Sequence, residues 1–312
     1  MNNLLILSTD AEKYAKLLAP YSLDQLTIHT ATSPKLEPAS LQAINLVLAD
    51  PPWLVKLLPH LPKLQWVQST YAGVNTLCAP GLRRDYRLTN VKGVFGQLIS
   101  EYVFGYILAL ERDLLRARQQ QAQHEWQPFA YRSLAGLKVG IAGLGDIGQY
   151  VASTAKHFAM QVKGLKLTAA SVPSVDKVYS FEQLNEFLAD LDYVVITLPA
   201  TPLTQHLFNA EALAQLKPEA VLINVGRGVC VDQAALTASL QAQQLRAAVL
   251  DVFETEPLAA ADPLWDLDNA YITPHQAAVS FPADIVKIFA KNYQHFQQGE
   301  PLEYLIDFEK GY

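Results

Sequence analysis

Short apolar runs alternate with stretches of helical spacing along most of the chain. In the first part "NLLILS", "LTIHTA", "INLVLAD", "LQWVQST" and "YRLTNV" read as strands, because each is brief, apolar and closed by polar or turn-forming residues. "DAEKYAKLLA" and "PPWLVKLLPHL" lie between them with apolar positions at helical intervals. The stretch "GQLISEYVFGYILALERDLLRARQQQAQ" predicts one long helix, apolar all round in its first half and polar in its second, as expected of a helix crossing between two domains. After the loop "HEWQPFAYRSLAG" a second series of strands begins at "KVGIAG" and continues through "VKGLKL", "YVVITLP", "VLINVG", "AAVLDV" and "AYITP". Helices are expected at a glycine cluster over residues 143–148 and at "SFEQLNEFLA", where Ser180 and Gln183 stand at capping-box spacing. Two more are expected at "NAEALAQL" and "DQAALTASLQAQQ". A last helix, "ADIVKIFAKNYQHFQQG", is assigned back to the first domain. The strand–helix alternation predicts an α/β protein with parallel sheets.

Composition narrows what such a protein can be. The 312 residues, half of them apolar, suffice for one large core or two medium ones. The net charge is −6 and no long basic run occurs, which argues against a nucleic-acid partner, since phosphate binding needs clustered Lys and Arg. Cys78 and Cys230 stand far apart without a CxxC, so neither a metal site nor a disulfide framework is expected. "MNNLLILSTD" lacks a basic leader, and "YVFGYILAL" is too short to span a bilayer. The expectation is a soluble protein of a reducing cytoplasm, without a membrane partner.

The glycine cluster Gly143-Leu144-Gly145-Asp146-Ile147-Gly148 fits GxGxxG, with a strand before it, a helix after it and a strand beyond. In that context Gly143 would permit the tight turn, Gly145 the approach of a pyrophosphate and Gly148 the packing of helix on strand. The helix N-terminus would offer its amides to the phosphates. A purely structural strand–helix turn is the competing reading. Three polar residues follow apolar strands of the same series: Arg227 in "INVGRGVCVD", Glu256 in "LDVFETEPL" and His275 in "YITPHQAAVS". On spacing alone each also fits a solvated surface residue. Together, a base held by an acid beside a cation is the set needed to polarise and protonate a carbonyl.

The blocks "GLKVGIAGLGDIG", "LPATPLT", "INVGRGVCVD", "AAVLDVFETEPL" and "ITPHQAA", in this order, resemble the cofactor domain of the D-2-hydroxyacid dehydrogenase family over Leu134 to Ala278. "VQSTYAGVN" and the long helix extend the resemblance more faintly outward. The "PHQAA" block, the "EKGY" ending and the lack of a C-terminal regulatory extension are most similar to the glyoxylate/hydroxypyruvate reductase branch. The resemblance implies two doubly wound parallel-sheet domains. A Rossmann cofactor domain, residues 99–278, is inserted in a flavodoxin-like substrate domain, residues 1–98 and 279–312, with hinges near Ser100 and Ala278 and a cleft between them. It implies Arg227, Glu256 and His275 as the catalytic set, with Arg227 and His275 also contacting the substrate, and Ala72 and Gly73 as backbone donors to its carboxylate. A turn enforced by Gly73 is the alternative for that segment. Leu198, Pro199, Thr204, Val225 and Gly226 are implied at the cofactor beside the glycine cluster, and Asp251 at the nicotinamide carboxamide; no metal is implied. The activity implied is reduction of a small 2-oxo acid to the D-2-hydroxy acid. A dinucleotide-sensing, corepressor-like binding protein on the same fold is the alternative. A formate dehydrogenase is disfavoured, since glutamine replaces the acid there and Glu256 is present here.

Two further expectations arise. NAD-specific units carry an acid about twenty residues past the glycines, bonded to the ribose hydroxyls. In the family's pattern it falls 23 positions after Gly143, where this chain has Lys166. Loss of the acid removes repulsion of a 2′-phosphate, and Lys166, with Thr168 and Ser171, could attract it. NADP(H) is therefore the expected cofactor, with NAD(H) possible; a lysine pointing into water or a slipped strand register are the alternatives. Trp126, Phe129 and Tyr131 load the "HEWQPFAYRSLAG" loop with aromatic surface, which predicts a homodimer through the cofactor domain, unless the loop folds onto its own domain.

Overall fold

The computed structural model describes residues 1–311; Tyr312, which closes the "EKGY" ending, lies outside the described residues. The chain forms two compact units. One runs from Met1 to Val94 and resumes at Ser280; the other is Phe95–Val279.

The first unit opens with β1 (Asn2–Leu7), α1 (Ala11–Leu18), β2 (Leu26–Ala31), β3 (Leu46–Ala49), α2 (Pro51–Leu54), β4 (Trp66–Ser69) and β5 (Arg87–Thr89). The strands are parallel in the order β2-β1-β3-β4-β5, the flavodoxin-like winding. All four residues of β3 and of β4 are buried, as strands covered on both faces must be. "PPWLVKLLPHL" is less helical than its spacing predicts: α2 has four residues and a 3-10 turn follows at Leu58–His60. Pro59 has no N–H to continue the ladder.

The second unit follows with α3 (Phe95–Glu111), α4 (Leu114–Ala122), β6 (Lys138–Ala142), α5 (Asp146–His157), β7 (Gln161–Leu165) and β8 (Lys177–Tyr179). It continues with α6 (Leu184–Leu188), β9 (Tyr193–Ile196), α7 (Ala210–Leu213), β10 (Val221–Asn224), α8 (Gln233–Gln241), β11 (Ala247–Leu250) and β12 (Ala270–Ile272). The seven parallel strands run β12-β11-β10-β9-β6-β7-β8, a Rossmann winding whose order reverses between β6 and β9. The crevice beyond the carboxyl ends of those two strands is where such sheets receive ligands. β8 is absent from the predicted elements; it is a three-residue edge strand, too brief for a periodic signal.

The single long helix expected at residues 96–123 is two helices. Asp113 takes φ 49°, the left-handed conformation that Asp tolerates, and the ladder restarts there as α4. Within the second unit α3 packs against α5. A Cβ on Gly96 would stand 2.9 Å from that of Tyr150, Phe104 stacks on Phe158 at 5.1 Å, and Ser100 Oγ donates to Thr154 Oγ1 at 2.8 Å. The chain then returns to the first unit as α9 (Pro282–Gln298), where Trp66 stacks on Phe289 and Phe296 at 5.1 and 5.7 Å.

A buried charge closes α3. Glu111, with its side chain 1% exposed, accepts from Arg132 Nε and Nη2 at 2.7 and 2.8 Å, from Arg246 Nη1 at 2.5 Å and from the Tyr193 hydroxyl at 2.5 Å. Burial pushes the carboxyl up, but the hydrogen bonds from Arg132, Tyr193 and Arg246 and the Arg246 charge outweigh it and hold it at about 2. A depressed carboxylate contributes stability that is complete above its ordinary value of 4.5 and is lost as pH falls through 4.5 toward 2. Glu111→Gln should therefore cost about 3 kcal/mol at neutral pH, and the difference from wild type should shrink as pH falls from 5 to 3. Urea unfolding at stepped pH measures this; a difference that stays constant over that window would contradict the assignment.

Candidate functional site

β6 ends at Ala142, and Gly143 turns the chain with φ 99°, open to glycine at little cost. A Cβ on Gly148 would meet the Gly143 carbonyl at 1.9 Å, so α5 can lie this close to the turn only with hydrogen there. Around Gly145 an added Cβ meets nothing within 4 Å, which leaves an open cradle at the helix start. No side chain caps α5. The helix dipole and that opening fit a pyrophosphate, so the residues present suit a dinucleotide. Leu144 is buried and Asp146 exposed, while Ile147 lies between.

Thr197, at the end of β9, was not singled out in the sequence. Its hydroxyl donates to the Gly143 carbonyl at 2.7 Å and ties the glycine turn to the neighbouring strand. Its position immediately before "LPATPLT" was the available signal. Leu198 is buried beside it, and a Cβ on Gly226 would press on the Leu198 carbonyl at 2.8 Å, so β9 and β10 end in close contact. Val225 is buried too. Thr204 is 2% exposed, with its hydroxyl donating to the Pro199 carbonyl at 2.6 Å; it shapes the 199–204 turn from within.

Arg227, Glu256 and His275 all follow strands of the same sheet, β10, β11 and β12, at their carboxyl ends. Glu256 is fixed at one oxygen by the Phe253 amide at 3.0 Å and offers the other to His275 Nδ1 at 2.8 Å. An ionised carboxylate only accepts, so Nδ1 carries the proton and Nε2 is left for other partners. Arg227 is half-buried, its Nη1 donating to the Gly226 carbonyl at 2.6 Å. Burial lowers its pKa from the ordinary arginine value, opposed by Cys230 and by the negative charge of Glu256. Gly228 next to it is obligatory, because a Cβ would lie 1.9 Å from the Phe253 carbonyl carbon.

Asp251, expected at a carboxamide, is 2% exposed and turned toward its own chain. Its Oδ1 accepts from Thr273 Oγ1 at 2.6 Å and from the Gln276 amide at 2.8 Å, and its Oδ2 from the Ala277 amide at 3.0 Å. Lys166 is the first residue past β7, beside the glycine turn, since the Gly143 amide donates to the Leu165 carbonyl at 2.8 Å. Thr168 and Ser171 are exposed in the loop that follows.

In the first unit, Ala72 and Gly73 follow β4. Ser69 Oγ donates to the Tyr71 carbonyl at 2.8 Å, and Asn90 Nδ2 to the Ala72 carbonyl at 2.8 Å. Asn90 had no sequence signal, because its role lies in contact with a residue 18 positions away. No helix among the described residues is long and apolar enough to cross a membrane, and no group of three or more His, Cys, Asp or Glu among them could hold a metal ion.

A Rossmann sheet with an uncapped glycine turn at its switch point defines the second unit as a dinucleotide-binding domain of the dehydrogenase class. Residues 104–277, more than half of the chain, match the model of the D-isomer specific 2-hydroxyacid dehydrogenase, NAD binding domain. A glyoxylate reductase of Pyrococcus horikoshii is 31% identical over 81% of this chain and 79% of its own. The crystal structure of a D-isomer specific 2-hydroxyacid dehydrogenase family protein from Aeromonas salmonicida aligns with TM-score 0.94 and 45% identity, over 98% of this chain and 99% of that one. An NADPH-dependent glyoxylate/hydroxypyruvate reductase from Sinorhizobium meliloti, solved with NADP and sulfate, aligns with TM-score 0.89 and 28% identity over the whole of both chains. The chain belongs to the D-isomer specific 2-hydroxyacid dehydrogenase family and is an NAD(P)-dependent oxidoreductase.

Proposed function

We propose that this enzyme reduces a small 2-oxo acid of the glyoxylate or hydroxypyruvate type to the D-2-hydroxy acid, with NADPH preferred. The observation that carries the reading is the His275–Glu256 pair at 2.8 Å on the sheet edge that also presents Arg227 and the glycine turn. When bound, the reduced nicotinamide supplies the hydride for the keto carbon. Arg227, permanently charged and forked, grips the carboxylate and the adjoining keto oxygen and draws electron density toward that oxygen. His275 donates its Nε2 proton to the oxygen that becomes the hydroxyl, and Glu256 keeps Nδ1 protonated and the ring oriented. With a side chain 53% exposed, His275 regains its proton from solvent. The amides of Ala72 and Gly73 make no hydrogen bond among the described residues and are assigned to the substrate carboxylate. A spectrophotometric screen of small 2-oxo acids with both reduced cofactors tests this. Turnover of glyoxylate or hydroxypyruvate supports it, whereas dinucleotide binding without turnover of any of them points to a non-enzymatic sensor.

Lys166 supports the cofactor preference, since it stands beside the glycine turn where a carboxylate would repel a 2′-phosphate. Wild type should show the higher kcat/KM with NADPH, and Lys166→Asp should move the NADPH-to-NADH ratio toward NADH by at least about tenfold, a charge reversal near the phosphate. A ratio that stays put in Lys166→Asp removes the lysine from the account.

The homodimer is likewise proposed. Trp126 is 97% exposed, and Tyr131 and Phe129 lie under the guanidinium groups of Arg112 and Arg116 at 4.2 and 5.0 Å. Leu114 and Leu115 beside them are exposed as well, so this face of the second unit carries apolar surface that a second copy would cover. Light scattering should give twice the 34.5 kDa chain mass at micromolar concentration; the mass of a single chain would refute the dimer.

A further inference from the structure

His275 stands in a conformation that its own side chain does not favour, with φ 51° between Pro274 and Gln276. A non-glycine residue held in the left-handed region costs on the order of 1 kcal/mol and persists only where its surroundings fix it. Here the surroundings are Asp251 and what Asp251 is bonded to. The His275 amide donates to the Asp251 carbonyl at 2.9 Å, and the next two amides, of Gln276 and Ala277, donate to its two carboxylate oxygens at 2.8 and 3.0 Å. The turn that carries the imidazole is thus wrapped around one buried carboxylate.

That carboxylate is held in turn by Thr273, whose Oγ1 lies 2.6 Å from Asp251 Oδ1 and 2.6 Å from the Tyr102 hydroxyl on α3. The direction of these bonds follows from the donors available. Asp251 as a carboxylate only accepts, so the Thr273 proton goes to it, and the Tyr102 O–H must donate to Thr273 Oγ1. We propose that Tyr102 and Thr273 are positioning residues for His275: a one-way chain of hydroxyls from α3 through Thr273 to Asp251 sets the turn from which the imidazole meets Glu256. Burial pushes the Tyr102 phenol well above its ordinary value, so it remains a donor at any pH at which the enzyme is assayed. The charged groups that bear on the imidazole are Glu256 at 2.8 Å, Asp251 beneath its turn, and Arg227 through its interaction with Glu256.

The inference rests on His275 being the acid proposed above, and its test separates the two. Thr273→Val keeps the shape and removes the hydroxyl; Thr273→Ser keeps the hydroxyl. With Thr273→Val, kcat should fall by at least about tenfold, as small misplacements of a reacting group do, while KM for NADPH stays within about twofold of wild type. Thr273→Ser should restore kcat. In parallel, imidazole 15N shifts of the substrate-free protein should report the Nδ1–H form of His275 in wild type and Thr273→Ser, and a mixture of tautomers in Thr273→Val. The NMR readout stands even if His275→Ala proved active, which would sink the catalytic reading alone. Wild-type kcat together with an unaltered tautomer in Thr273→Val overturns the positioning role, as does a variant whose KM for NADPH rises while kcat holds. Should Thr273→Val fail to fold, Tyr102→Phe decides: a lower kcat with unchanged KM supports the chain, and wild-type kinetics overturn it.

Discussion

Arg227→Ala is expected to lower kcat/KM for glyoxylate on the order of a thousandfold or more while leaving the thermal midpoint near that of wild type. The magnitude follows from removing a desolvated, forked cation that meets both the carboxylate and the keto oxygen, so that ground-state binding and polarisation disappear together. Burial lowers the Arg227 pKa without discharging the side chain, and that partial desolvation makes its charge count for more toward a bound anion than a surface arginine would. Arg227→Lys keeps the charge and loses the fork, and should recover only part of the activity. If Arg227→Ala retained wild-type kcat/KM, the cation would have no place in the chemistry.

The second large effect concerns the proton. His275→Ala should reduce kcat by at least about a hundredfold, the lower range for a lost acid–base group, with much smaller changes in KM. Glu256→Gln should be milder. The glutamine side chain can still accept from Nδ1, but it no longer offers a negative charge to the imidazolium, so the alkaline limb of the pH–rate profile should move to lower pH. Steady-state rates across the pH range separate these cases. An unchanged kcat in His275→Ala would leave the 2.8 Å contact with Glu256 as no more than an exposed ion pair, which contributes little by itself.

Much of the second unit was legible because its chemistry sits in consecutive residues. The turn at Gly143 and the close packing at Gly148 each need glycine for a reason that local spacing reveals, and the strand–turn–helix order supplies the context. Lys166 was placed by the family's spacing from Gly143; β7 ends at Leu165, inside the expected strand "VKGLKL", which leaves the lysine one residue past it. The parallel α/β character of both sheets was legible from the alternation of elements, whereas the flavodoxin-like winding of the first came only with the family resemblance. Contacts between distant residues were not. The donors that meet Asp251 include two backbone amides, which leave no mark on a sequence. Thr197 and Asn90 act through carbonyls brought near by the fold. The break at Asp113 escaped notice because the helical periodicity persists on both sides, and only its left-handed backbone ends the helix. The partners of Glu111 were hidden in the same way, since Arg132, Arg246 and Tyr193 lie far from it in the chain and meet it only in the fold.

The central claim is that hydride passes from the nicotinamide to the keto carbon of a small 2-oxo acid and gives the D product. Tracing the label from NADPH dideuterated at nicotinamide C4 into hydroxypyruvate tests it most directly, with NMR and chiral analysis of the product. The account predicts D-glycerate with deuterium at C2. An L product, or a product without deuterium at C2, would contradict it.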